Sequence, residues 1–114
     1  MECDLMSVGL FRYNGYFMNR DSKIVFSRNV AAEAFYTKVW GKAILEMNVR
    51  LFQDGSEFTP DQVGIVLEEL RALMKWCDEN LKDNDHFKMH STLEELIKVI
   101  PEEASKSNEP FYIF

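Results

Sequence analysis

Cysteine, glycine and proline are scarce in this sequence of 114 residues, which contains two, five and three of them. Two cysteines do not make a disulfide framework, and Cys77 falls on the apolar face of a predicted helix, where we expect a buried, protonated thiol. The glycines never cluster, which excludes a phosphate-binding loop.

Long apolar stretches are also missing. No run approaches the roughly 18 residues that a membrane-spanning helix requires. Acidic residues interrupt the first segment, and no apolar core of a signal peptide follows it. We therefore expect a protein of the reducing cytoplasm that has no membrane partner.

Positive charge is in deficit, because 13 lysines and arginines stand against 19 acidic residues and give a net charge of −6. Sequence-independent nucleic-acid binding needs cationic groups, so a direct nucleic-acid partner is not expected. The acidic balance would instead attract a cationic protein. Apolar residues are abundant, at 46% of the chain with nine Phe, four Tyr and two Trp. They predict one folded domain over residues 1–114.

The N-terminal segment predicts a small antiparallel sheet. Asn14-Gly15 lies between two aromatic-rich runs, which is typical of a type I′ hairpin turn. Strands on either side of this turn and a third strand at 23–26 would form a meander over residues 7–26. The apolar C-terminus, Phe111–Phe114, is expected to add a further strand to this sheet.

A helix is predicted from Val30 to Met47, with Ser27 or Asn29 as its N-cap. Asn48 would end it in a left-handed conformation. A short strand is expected to follow at Val49–Phe52.

The next helix, Phe58–Leu81, has the best-specified start. Thr59 is an N-cap, Pro60 occupies the first helical position, and Gln62 completes a capping box. Its inner stripe is predicted to join the core, and its members recur at helical spacing: Val63, Val66, Leu67, Leu70, Leu73, Met74, Cys77 and Leu81.

A polar connector is predicted from Lys82 to His90, before a third helix that a Ser91–Glu94 capping box opens. Pro101 would break or restart this helix. The fold class is therefore α+β: a small antiparallel sheet, made of the N-terminal meander and the C-terminal strand, packed with about three helices.

The helix Phe58–Leu81 also carries an outer stripe: Ile65, Glu69, Ala72 and Trp76. Glu69 has no oppositely charged neighbour at helical spacing, and a carboxylate between apolar side chains resembles an interaction hot spot. The alternative is that the sheet covers the stripe and that Glu69 binds an arginine or a backbone amide. Both interpretations are open at this point.

Acidic residues gather at the end of the same helix, at Asp78, Glu79, Asp83 and Asp85. Acids at a helix C-terminus oppose the macrodipole, so their placement suggests attraction of a cationic partner. A solvated acidic face is the alternative. The predicted partner-binding residues are the following: Ile65, Glu69, Ala72, Trp76, Glu79, Asp83 and Asp85.

Catalytic and metal-binding motifs are weak. His86 and His90 have the spacing of two ligands on one helical face, but the predicted connector places them outside a helix, and no third strong ligand follows at zinc spacing. No serine or cysteine lies in a strand–turn–helix elbow. We therefore expect no enzyme activity, no metal site, no cofactor and no small-molecule ligand.

A family resemblance is carried by residues of the 40–81 segment: Trp40, Ala43, Ile44, Phe52-Gln53-Asp54-Gly55, Phe58-Thr59-Pro60, Leu67-Glu68-Glu69-Leu70, Leu73 and Trp76. This pattern resembles small acidic bacterial immunity proteins, the cytoplasmic antidotes of polymorphic and contact-dependent inhibition toxins. The resemblance implies a non-enzymatic protein that binds a cognate cationic toxin domain, often a nuclease, and blocks its active site or substrate groove.

Three other classes remain as alternatives. A regulatory or adaptor domain, or a phage-encoded inhibitor, would use the same surface on another protein. A small structural protein would pair its outer stripe with a second copy. A small enzyme would need a cleft lined by His86 or His90 and carboxylates.

Overall fold

The structure, a computed structural model, describes residues 7–14 and 22–114. These residues form an α+β fold with a four-stranded antiparallel sheet and three helices. The strands are β1 Ser7–Tyr13, β2 Ile24–Ala32, β3 Glu57–Phe58 and β4 Phe111–Ile113. The helices are α1 at 33–46, α2 Val63–Asn80 and α3 Asp83–Ala104. The predicted fold class is confirmed.

The sheet has the strand order β2-β1-β4-β3. Phe11 of β1 pairs with Ser27 of β2 on one side and with Tyr112 of β4 on the other. The prediction that the C-terminal strand joins the N-terminal sheet is therefore confirmed. The predicted turn at Asn14-Gly15 and the strand after it extend beyond the described residues, which stop at 14 and resume at 22. The predicted meander order is wrong, because Tyr13 pairs with Ile24 of the segment expected to be the third strand, and β4 lies on the other side of β1.

The predicted helix start at Val30, with its cap at Ser27 or Asn29, is wrong. Strand β2 continues to Ala32, which pairs with Ser7, and the helix begins at Glu33. Burial of Val30 against the core and pairing along β1 outweigh the local capping signal.

Helix α1 is made of three parts, with a π-helical turn at Tyr36–Trp40 between the α-helical turns Glu33–Phe35 and Gly41–Glu46. It ends as predicted, because Asn48 adopts a left-handed φ of 57°. The strand predicted at Val49–Phe52 is wrong, since this segment has no regular structure.

Helix α2 begins as predicted. Thr59 and Gln62 form the capping box, in which the Thr59 amide donates to the Gln62 side chain at 3.0 Å. Pro60 opens a short 3₁₀ turn, Pro60–Gln62, which leads into the helix. The inner stripe is confirmed as core, because its members are buried or packed on the core.

The connector predicted from Lys82 to His90 is wrong. Helix α3 starts at Asp83 and continues past Pro101 to Ala104, so Ser91 lies inside it rather than at its start. Met89 precedes Leu93 by one helical turn, and both side chains are fully buried. This apolar face extends the helix two turns towards the N-terminus.

Helices α2 and α3 form a helical hairpin with a two-residue connection and pack against each other. The largest fully buried apolar side chains come from the sheet, α1, the loops and both hairpin helices: Trp40, Phe52, Phe58, Phe111, Leu10, Leu70, Leu73, Met89, Leu93, Leu96 and Ile100. Phe58 and Phe111 stack with ring centroids 4.8 Å apart, which fixes β3 beside β4.

Arg12 is a buried charged residue in the middle of this fold, with 2% of its surface exposed. Its guanidinium donates hydrogen bonds to the backbone oxygens of Glu103, Ser107 and Glu109. It also lies over the Phe111 ring, 4.3 Å from its centroid. Burial lowers the pKa of Arg12, while the charges of Glu103 and Glu109 act in the opposite direction. Arg12 therefore joins the end of α3 to the sheet.

Candidate protein-binding surface

Trp76 of the predicted outer stripe is buried, with 5% of its surface exposed. Its indole nitrogen donates a hydrogen bond of 2.7 Å to Oε1 of Glu46, at the end of α1. Helix α1, rather than the sheet, therefore covers this part of α2. The prediction that Trp76 offers an open contact does not agree with this position.

Glu69 is not an unpaired carboxylate. It accepts hydrogen bonds from the backbone amides of Arg50 at 2.9 Å, Leu51 at 3.1 Å and Phe52 at 3.0 Å. The expectation that it lacks a partner is wrong, and the alternative of a backbone-amide partner describes it correctly. The three consecutive amides converge on one carboxylate, whereas successive amides of an extended strand point to opposite sides, so the arrangement agrees with the irregular backbone of this segment.

The other two stripe residues differ from each other. Ala72 is half-buried, whereas Ile65 is 54% exposed. Ile65 is thus the one member of the predicted stripe that presents a large apolar side chain to solvent.

The predicted acidic residues lie where α2 meets α3. Glu79 and Asp83 are exposed and Asp85 is half-buried. Asp83 and Asp85 belong to the first turn of α3, where carboxylates favour the macrodipole. The expectation that these two acids oppose a helix dipole is therefore wrong, although the exposure of Glu79 and Asp83 at one end of the hairpin agrees with a surface role.

Phe87 is a surface residue that the sequence patterns do not reveal. It follows Asp83 by one helical turn on α3 and is 68% exposed. It also lines a groove of about 400 Å³ between α3 and the end of β2, beside Phe35 and Lys88. Phe87 is missed because residues 82–90 are predicted to form a connector. Met89 lies at helical spacing from Leu93, and this signal would have predicted the longer helix.

We call the four side chains at this corner the hairpin end: Glu79, Asp83, Asp85 and Phe87. Lys82 lies between the two helices and is exposed, so it offsets part of the negative charge. The hairpin end thus combines three carboxylates with one exposed aromatic ring.

A cluster of polar side chains lies next to the hairpin end, on the same two helices. Asp78 Oδ1 is 2.8 Å from His86 Nε2 and 3.8 Å from His90 Nε2. The two imidazole rings stack, with centroids 5.1 Å apart. The helical setting corrects the expectation that both histidines lie in a connector, because they occupy successive turns of α3.

Cys77 lies behind this cluster and is fully buried. Its thiol donates to the backbone oxygen of His86 at a distance of 3.7 Å. Burial raises the pKa of Cys77 to about 11, and the neighbouring Asp78 carboxylate adds to the shift. The thiol is therefore protonated at neutral pH, as the sequence predicts.

Comparison with known proteins gives no further assignment: no family model, no curated protein and no solved structure matches this chain. Among the described residues, no helix has the length and apolar character required to cross a membrane.

Proposed function

We propose that this chain is a cytoplasmic immunity-type inhibitor, which binds a cationic toxin domain of the nuclease class and occludes its active site or substrate groove. The observation that carries the proposal is the hairpin end, where two exposed carboxylates, Glu79 and Asp83, and the exposed phenylalanine Phe87 flank the connection between α2 and α3. The net charge of −6 supports the same class of partner.

The negative charge of the hairpin end favours a positively charged partner. A nuclease groove is cationic because it holds phosphates, and an acidic protein is drawn into it faster than a neutral one. Glu79 and Asp83 are exposed on successive helices, so they reach a partner without prior rearrangement.

Phe87 supplies the apolar anchor of the proposed interface. Aromatic side chains that enter a partner's pocket commonly dominate the binding free energy, while surrounding charges set the on-rate. Phe87 takes over the role that the sequence patterns give to Trp76, because Trp76 and Glu69 are engaged within the fold.

The first experiment identifies the gene immediately upstream and, where it encodes a large secreted protein with a variable C-terminal domain, co-expresses that domain with this chain; a metabolic gene there would reject the proposal. We expect rescue of growth and a 1:1 complex that survives gel filtration. Absence of rescue together with absence of a complex would reject the pairing.

Variants then test the surface. We expect Phe87→Ala to cost about 2 kcal/mol of binding free energy, or roughly thirtyfold in affinity. Asp83→Lys should lower the association rate and weaken its dependence on salt.

Leu45→Ala is the matched control, because Leu45 is also an exposed apolar residue, at 82%, but lies on α1. Phe87→Ala, Asp83→Lys and Leu45→Ala should each keep the far-ultraviolet circular dichroism spectrum of the parent protein. Loss of binding in Leu45→Ala with full binding in Phe87→Ala would move the interface away from the hairpin end.

A further inference from the structure

We propose that the α2–α3 hairpin binds one zinc ion between Cys77, Asp78, His86 and His90. The site does not depend on the proposed inhibitor function. It uses side chains beside the hairpin end rather than those that form it.

The ligand atoms already lie close together. One side-chain atom each from Cys77, Asp78 and His86 falls within 4.8 Å of the other two. His90 Nε2 adds a fourth donor, 3.8 Å from Asp78 Oδ1. Bond lengths of about 2.0–2.3 Å in a tetrahedral zinc site place ligand atoms about 3.3–3.8 Å apart. Small side-chain rotations would therefore bring this set around one ion.

The helices position these groups without help from a loop. His86 and His90 are one turn apart on α3, so both rings face the same side, and their planes differ by 24°. Cys77 and Asp78 are consecutive in the last turns of α2, where Asp78 contacts the His86 ring and Cys77 contacts the His86 backbone oxygen. A bound ion would join the two helices of the hairpin.

Glu94 lies just beyond hydrogen-bond distance of His90, where a small rotation would give the outer hydrogen bond that metal-binding histidines usually have. Its Oε1 lies 3.6 Å from Nδ1 of His90, on the ring edge opposite Nε2. Once hydrogen-bonded to Nδ1, this carboxylate would hold the imidazole so that Nε2 faces the metal. This arrangement gives Glu94 a positioning role, because it does not reach the ion itself.

The donor types select the metal. Imidazole and thiolate suit zinc and its transition-metal neighbours, whereas magnesium and calcium prefer sets made of oxygen alone. Binding would convert the Cys77 thiol into a metal-bound thiolate and release its proton to the buffer. That proton is held in the metal-free protein next to the His86 backbone oxygen.

The test uses the full chain after treatment with a chelator that is then removed. We expect zinc chloride to bind at one equivalent by calorimetry and to raise the melting temperature, and magnesium chloride to do neither. Cobalt(II) should give the intense visible bands of a tetrahedral site and a thiolate-to-cobalt band in the near ultraviolet.

Variants assign the ligands. His86→Gln with His90→Gln should abolish zinc binding, Asp78→Asn should weaken it strongly, and Glu94→Gln should weaken it by about tenfold. Cys77→Ser should remove the near-ultraviolet cobalt band. Glu68→Gln is the control, because Glu68 is an exposed carboxylate on the same helix that belongs neither to the ligand set nor to the hairpin end.

Two results would overturn the proposal. One is the absence of one-equivalent zinc binding in the parent protein. The other is an unchanged zinc affinity in either the double histidine variant or Asp78→Asn. Asp78→Asn changes a single exposed residue, so it still tests the site if the double histidine variant fails to fold. Zinc binding is measured without the toxin, so a negative result would reject the zinc site and would leave the proposed inhibitor function unaffected.

Discussion

The carboxylate of Glu69 accepts a 3.0 Å hydrogen bond from the backbone amide of Phe52, a residue that is fully buried. The same carboxylate accepts the amides of Arg50 and Leu51. One side chain of α2 thus satisfies three consecutive backbone amides of an irregular segment. The contacts of Glu69 therefore contribute to folding, and the surface that we propose for partner binding is the hairpin end.

Replacement of Glu69 is expected to lower the free energy of unfolding. Glu69→Ala leaves three amides without their acceptor and should cost about 2–3 kcal/mol, whereas Glu69→Gln keeps one oxygen and should cost about 1 kcal/mol. Urea unfolding followed by tryptophan fluorescence measures both values. Glu68→Gln, at an exposed neighbour, should change little. Equal stability of Glu69→Ala and Glu68→Gln would show that the three hydrogen bonds contribute nothing.

Most features that the sequence predicts correctly are complete within a few residues; the exception is the C-terminal strand, whose apolar residues are expected to pair with the N-terminal sheet and do so. Thr59 and Gln62 form their capping box across three positions, and Asn48 ends α1 by its own backbone preference. Such signals need no information about the rest of the fold. The core stripe of α2 is predictable for the same reason, because helical spacing alone defines it.

Features set by distant contacts could not be predicted in this way. Glu69 meets Phe52 across 17 positions, and Arg12 meets Glu109 across 97. The end of β2 depends on pairing with β1, which outweighs the helix cap that Asn29 offers locally. The candidate site follows the same rule, because Asp78 and His86 come together only once the hairpin has formed.

Any substitution of Arg12 that removes its planar set of hydrogen-bond donors is expected to lower the free energy of unfolding. Arg12→Lys retains the charge but cannot reach the backbone oxygens of Glu103, Ser107 and Glu109 together, so we expect a loss of about 2 kcal/mol. Equilibrium unfolding in urea measures the loss. Arg71→Lys, at an exposed site on α2, serves as the control. Similar unfolding midpoints for the two variants would contradict the role of Arg12 in joining α3 to the sheet.

Asn48 gives a prediction with a built-in comparison. Its φ of 57° lies in the left-handed region, which glycine adopts freely and alanine does not. We expect Asn48→Ala to lose about 1 kcal/mol of stability and Asn48→Gly to match or slightly exceed the parent. Thermal unfolding of the two variants side by side measures the difference. A less stable glycine variant would show that the side chain of Asn48, rather than its backbone, matters here.

Tyr36 links stability to alkaline pH. Its hydroxyl accepts a 2.8 Å hydrogen bond from the Asp54 amide, and burial raises the pKa of Tyr36 above its ordinary value of 10.0. The backbone hydrogen bond partly offsets this shift, and the charges of Asp54 and Glu33 add to it. A raised folded-state pKa means that the folded protein holds this proton more tightly than the unfolded chain. The associated stability is therefore complete below pH 10 and is lost as the pH rises through the pKa of the folded state.

Tyr36→Phe removes both the acceptor and the ionisable group. Near neutral pH we expect the variant to be about 1 kcal/mol less stable than the parent, because the Asp54 amide loses its partner. Above pH 10 the parent should lose stability more steeply, so the difference between the two proteins should narrow. Other tyrosines and the lysines titrate equally in both chains, which makes the difference specific to Tyr36. Parallel alkaline slopes for the two proteins would show that Tyr36 ionises equally in the folded and unfolded states.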